Sequence, residues 1–166
     1  MKKLLFLTIF TFVFSMGALA QLTLPSESQR QWLTQTVGDT KVMLTYDRPN
    51  AKGRPIFGCE TKDLIPKGGV EYPCLTPSGQ VWRTGANDNT VFEVSNDVKI
   101  NGQNLPAGKY GLHTIPGKDE WTIIFNKVNN SWGSFSYDAS KDQLRVTAKP
   151  GTTEFSETMS LGFENV

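Results

Sequence analysis

Histidine is almost missing from this chain. His113 is the only one among 166 residues, and there are just two cysteines, Cys59 and Cys74. A zinc or iron site needs more imidazole and thiolate ligands than that, so no metal centre is expected. No known catalytic motif is present, and nothing calls for a cofactor. There is no long basic run: 17 Lys and Arg stand against 16 Asp and Glu. Nucleic acid binding, which is driven by phosphate neutralisation, has no electrostatic support. There is no internal repeat, no linker, and no convincing helical periodicity beyond the first twenty residues.

Those twenty residues have a different use. Lys2 and Lys3 form a charged start, residues 4–14 an apolar run, and Ala18-Leu19-Ala20 a small-x-small cleavage site. This is the pattern of a secretory signal peptide over 1–20, leaving 21–166 as a single β domain that begins at Gln21. An uncleaved anchor is the alternative, but the apolar run is short for a bilayer. The expected location is therefore the periplasm or the extracellular space, with no transmembrane segment after cleavage. In that oxidising setting a Cys59–Cys74 disulfide is plausible. It would close a loop of about 15 residues and add roughly 3 kcal/mol by chain entropy. Pro66, Gly68, Gly69 and Pro73 within that loop point to irregular backbone that benefits from a staple.

Period-two alternation runs through most of the rest. Val42, Leu44 and Tyr46 alternate with Met43 and Thr45; Tyr110 and Leu112 alternate with Gly111 and His113. Trp121, Ile123 and Phe125 alternate with Thr122 and Ile124, and Leu144, Val146 and Ala148 with Arg145 and Thr147. Such runs are strands with one buried face. Turn signals separate them, among them Asn101-Gly102, which fits a type I′ hairpin. Residues 27–36 read equally as a helical turn or an edge strand. The fold class is all-β, an antiparallel sandwich or flattened barrel.

Two segments carry more polar and aromatic chemistry than turn-making requires. One is Tyr46-Asp47-Arg48-Pro49-Asn50-Ala51-Lys52-Gly53-Arg54, the other Val81-Trp82-Arg83-Thr84-Gly85-Ala86-Asn87-Asp88-Asn89-Thr90. If they meet, Arg48, Lys52, Arg54 and Arg83 form an anion-binding patch, since a guanidinium fork binds two oxygens at once. Pairing with Asp47, Asp88, Glu93 or Glu120 is the structural alternative. Asn87 would add hydrogen bonds and Trp82 a packing wall. Asn87, Asp88 and Asn89 are oxygen donors of the kind calcium takes, though three such residues more often make a polar turn. Trp121 alternates cleanly and reads as a core anchor, whereas Trp82 and Trp132 sit beside loops. Ser134, Ser136 and Asp138 lack a nucleophile elbow. His113, with an imidazole able to gain or lose a proton near neutral pH, is the candidate general base.

The order of these pieces resembles a known family. Tyr46-Asp47-Arg48-Pro49, Lys52-Gly53-Arg54, Phe57-Gly58 and Val81-Trp82-Arg83-Thr84-Gly85-Ala86-Asn87 are followed by Leu105-Pro106-Ala107-Gly108-Lys109-Tyr110. Thr114-Ile115-Pro116-Gly117-Lys118, Glu120-Trp121, Trp132-Gly133 and Tyr137-Asp138 complete it. The chain resembles the domain-of-unknown-function 2911 family of exported bacterial proteins. The resemblance implies export and a compact domain and brings no activity. The segment 60–76, with both its length and its cysteine, exceeds what the pattern needs.

The leading functional expectation is a cell-envelope binding module for a small anionic or carbohydrate-like ligand. An alternative is a hydrolase or isomerase with His113 as base and Arg83 as electrostatic stabiliser. A third is an interaction domain with no small-molecule site.

Overall fold

The computed structural model describes residues 24–59, 74–76 and 78–164. The leader 1–20 and the loop residues Pro66, Gly68, Gly69 and Pro73 lie outside the described residues. Alternating side chains become eight strands: β1 (Gln29–Val37), β2 (Thr40–Arg48), β3 (Ala86–Val94), β4 (Val98–Ile100), β5 (Gln103–Leu105), β6 (Gly108–Ile115), β7 (Trp121–Asn126) and β8 (Asp142–Ala148). One 3₁₀ turn spans Ala139–Lys141, and no α-helix occurs among the described residues. No helix among them is long and apolar enough to cross a membrane. Residues 27–36, ambiguous as sequence, resolve into the edge strand β1.

Six strands form one antiparallel sheet in the order β1-β2-β3-β6-β7-β8, and β4 and β5 pair separately as a hairpin. Asn101 and Gly102 both adopt positive φ at its two-residue turn, as a type I′ connection requires. Leu44, Tyr46, Tyr110, Leu112, Phe125, Leu144 and Val146 bury one face of the sheet, with Phe92 partly buried among them. The hairpin lies over this face through Leu105, Val98 and Ile100, and the C-terminal segment through Met159 and Leu161. The Tyr46 hydroxyl accepts from the Leu161 N–H at 2.7 Å and so fastens that segment. The result is an all-β, lopsided sandwich with β1 and β8 as its sheet edges.

The opposite face is covered differently. Asn89, His113, Ile124 and Asn126 are buried there beneath the connection between β7 and β8. The Asn126 amide donates to the Asp138 carbonyl at 3.0 Å and to Asp142 Oδ1 at 2.6 Å, and its oxygen accepts from Val128 N–H at 2.9 Å. Gly111 lets this connection come close: a Cβ there would run into the Val128 carbonyl. The room that a missing side chain offers at position 111 is filled by backbone. The Cys59–Cys74 disulfide is formed, with Cα atoms 5.9 Å apart. It staples the 74–76 segment, whose Leu75 and Thr76 N–H groups donate to the Pro55 and Ile56 carbonyls at 2.9 Å each.

Candidate functional site

The segment preceding β3 is wound tightly. Trp82 exchanges two backbone hydrogen bonds of 2.8 Å with Thr114 of β6, and its indole N–H donates to the Gly85 carbonyl at 3.0 Å. Thr84 and Asn87 both take positive φ, which side-chain-bearing residues adopt rarely. The Thr90 hydroxyl ties the Thr84 carbonyl at 2.9 Å, and Gly85 leaves no space for a Cβ against Thr90 and the Asp47 carbonyl. This winding fixes the direction of Arg83.

Residues 131–133 are zipped onto the same segment. Asn89 N–H donates to the Ser131 carbonyl at 2.9 Å, and Gly133 N–H to the Asn87 carbonyl at 2.9 Å. Gly133 has positive φ, and a Cβ on it would come within 2.7 Å of Arg83 Nη1 and 2.8 Å of the Phe135 ring. Arg83 lies over the Trp132 ring with its Cζ 5.3 Å from the centroid, a cation–π distance. Trp132 and Phe135 stack at 5.6 Å with planes 14° apart. They are 61 % and 81 % exposed, so this aromatic pair faces water.

Arg83, Ser134, Phe135, Trp82, Leu75 and Thr76 line a cleft of about 330 Å³. Two buried side-chain polar atoms among the described residues have no hydrogen-bond partner: Thr76 Oγ1 and Arg83 Nε. Both residues line this cleft, with these two atoms themselves closed off from solvent. Burial is the main influence on the Arg83 guanidinium and lowers its pKa, opposed by the charges of Asp47 and Asp88. Those carboxylates are already engaged by Arg30, which is bidentate to Asp47 at 2.9 and 2.8 Å and reaches Asp88 at 2.6 Å. Among the described residues Arg83 is therefore left with an aromatic face and long-range attraction in place of a salt bridge.

His113 stands one hydrogen bond behind the cleft and is only 3 % exposed. Its tautomer follows from its neighbours. Asn89 Oδ1 accepts the Ser131 N–H at 2.7 Å, so the Asn89 amide nitrogen is turned to His113 Nε2, 3.4 Å away. Nε2 accepts, and Nδ1 carries the proton toward Ser134 Oγ at 3.0 Å. The Tyr137 ring meets the imidazole edge-on at 5.1 Å. Burial pushes the His113 pKa down to about 4, with Asp142 pulling weakly the other way. A neutral imidazole whose free lone pair is met by an amide offers no base to a substrate. It instead takes one lone pair of Ser134 and leaves that hydroxyl proton free to donate.

The two sequence clusters thus have different settings. Trp82 and Arg83 line the cleft with His113 behind it, whereas Asn87, expected to add hydrogen bonds to a ligand, is not in the lining and is tied through its carbonyl to Gly133. Arg48, Lys52 and Arg54 gather elsewhere, against the C-terminal segment. Arg48 Nε donates to the Met159 carbonyl at 2.8 Å. Lys52 pairs with Glu27 at 2.8 Å, and its N–H donates to Glu157 at 2.7 Å. Arg54 folds back onto the Ala51 and Asn50 carbonyls at 3.0 and 2.7 Å. Glu93 pairs with Lys109 at 3.2 Å. Arg30, Thr76 and Phe135 were not singled out by sequence reasoning. Exposed aromatics in a Trp-Gly-Ser-Phe loop were the one available signal.

Fold and site together describe an all-β domain with a cation-bearing, aromatic-edged cleft. The chain belongs to the family described as Protein of unknown function (DUF2911), which matches residues 28–166. No curated protein and no solved structure matches it.

Proposed function

We propose that the protein is an exported binding module that takes a small anionic ligand in the Arg83 cleft. The observation that carries this reading is the partly buried Arg83 guanidinium, which lines the cleft and has no salt bridge among the described residues. Buried polar groups are nearly always paired, and an exception needs a reason. An anion with oxygen acceptors supplies the counter-charge that the Arg83 guanidinium lacks among the described residues. A volume near 330 Å³ falls in the roughly 300–1,000 Å³ range of small-ligand sites. The charged start, apolar run and Ala18-Leu19-Ala20 support export, as does the Cys59–Cys74 disulfide. Binding is favoured over catalysis because His113 is buried, neutral and hydrogen-bonded at both nitrogens.

Thermal-shift measurements with acetate, inorganic phosphate and uronic acids test the reading. A ligand at 100 times its Kd stabilises the native state by about 2.7 kcal/mol. At least one of these anions is expected to raise Tm in the wild type and to leave Arg83→Ala unmoved. A panel that shifts neither protein, or shifts both equally, would turn the reading toward a domain with no small-molecule site. Mass analysis of the native N-terminus tests export: a chain starting at Gln21 supports it, and an intact Met1 in the cytoplasm opposes it.

A further inference from the structure

We infer that the ligand of this cleft is a pyranose bearing a carboxylate, that is, a uronate-type acidic sugar. This deepens the proposed function and rests on it. Three features of the cleft point the same way.

The first is charge. Among the described residues lining the cleft, Arg83 is the one that carries a charge, and the nearby Asp47 and Asp88 are held by Arg30. One carboxylate balances one Arg. A phosphate dianion would leave surplus negative charge beside two carboxylates in a partly desolvated place, which is unfavourable. The second is the neutral polar lining. Thr76 and Ser134 both line the cleft, and Ser134, with one lone pair taken by the His113 Nδ1–H, keeps its own proton to donate. Hydroxyls of a sugar ring match such groups, because each can donate and accept. A simple fatty or aliphatic acid leaves them unmet. The third is the aromatic edge. Phe135 lines the cleft, is mostly exposed, and is braced from behind by Trp132. A flat, supported ring suits the apolar C–H face of a pyranose.

Gly133 sets the spacing between charge and ring, since its missing Cβ is what allows Arg83 and Phe135 to approach it together. A ligand with its carboxylate one bond from the ring fits that short interval. His113 acts as a positioning residue through Ser134.

Isothermal titration of the disulfide-bonded protein decides the matter. The probes are D-glucuronate, D-galacturonate, a short oligogalacturonide, D-glucose, acetate and inorganic phosphate. Each uronate is expected to bind at least about tenfold more tightly than either acetate or glucose. Phe135→Ala should weaken uronate binding by about tenfold and leave acetate unchanged. Arg83→Ala should abolish both. Phe135 is exposed, so its truncation tests the ligand and not the fold. An oligogalacturonide that binds more tightly than the monomer supports a polymeric source, and equal affinities support a free acidic sugar. If acetate or phosphate binds as well as uronate, or Phe135→Ala has no effect, the sugar inference fails while the anion cleft stands. If glucose equals glucuronate, the carboxylate requirement fails. If none of the probes binds, both the inference and the reading beneath it are overturned.

Discussion

At the scale of single residues, Arg83 and His113 carry the account, and each makes a claim about stability. Arg83 is a partly desolvated charge with an unpartnered Nε and no salt bridge among the described residues. Burial outweighs the attraction of Asp47 and Asp88, so the folded protein holds this charge at a cost. Arg83→Met is therefore expected to leave the urea midpoint unchanged or raise it, as replacement of binding-site charges often does. A loss above about 2 kcal/mol would make Arg83 a structural residue instead. His113 behaves in the opposite sense. Its folded pKa, about 4, lies below the ordinary 6.5. The unfolded chain then binds more protons between those values, so stability is complete above about pH 6.5 and falls as pH drops toward 4. The loss is on the order of 3 kcal/mol and levels off below pH 4. Urea titrations at pH 7, 5.5 and 4 should show it, and His113→Asn should flatten the dependence. An equally steep profile in that variant would assign it to other groups. Strand parity in the sequence placed His113 on the face opposite Tyr110 and Leu112, where it lies. Its burial was not legible, because the segment covering it comes from residues far along the chain. Thr76 was equally invisible: a threonine hydroxyl carries no pattern until its neighbours leave it unpartnered.

At the scale of elements, the strands were the legible part. Each of β2, β6, β7 and β8 sends alternate apolar side chains into one core, which is what period-two alternation records, and β6 and β7 bury residues on the second face as well. Asn101-Gly102 announced its turn because few residues adopt positive φ cheaply. β1 was ambiguous for a physical reason. It is an edge strand with Gln on the face of Leu33 and Val37, Arg and Thr on the face of Trp32, and Trp32 itself exposed, so neither period dominates. The covering connection between β7 and β8 is the element that sequence did not foretell, and it is tested at Gly111. Gly111→Ala drives a Cβ into the Val128 carbonyl, so about 1–3 kcal/mol of destabilisation or more is expected. A variant as stable as the wild type would mean that the connection does not sit on β6 as described. The disulfide is tested in the same way. Cys59→Ser with Cys74→Ser should lower stability by roughly 3 kcal/mol by chain entropy. It should also weaken ligand binding, since Thr76 follows Cys74 by two residues on the cleft wall. Undiminished stability in the double variant would remove the staple from the account.

At the scale of the whole molecule, the site is an assembly of three separate stretches: 75–76 held by the disulfide segment, 82–83 held to β6, and 134–135 held to β3 and His113. The sequence marked 82–90 as unusual but linked it with 48–54. Both are rich in Arg and Asn, and composition does not say which loops meet. Arg48 and Arg54 spend their donors on the C-terminal segment and on their own loop, which is how the protein fastens its tail. Arg83 waits for an anion that no protein group among the described residues supplies. The most direct measurement is the Nε–Hε cross peak of Arg83 in ¹⁵N-labelled protein during titration with D-glucuronate, acetate and phosphate. The account predicts that this peak moves saturably with at least one of the three, while those of Arg30, Arg48 and Arg54, already bonded to Asp47, Met159 and Ala51, stay in place. An Arg83 peak that stays still through all three titrations, or moves only together with the other three, contradicts it.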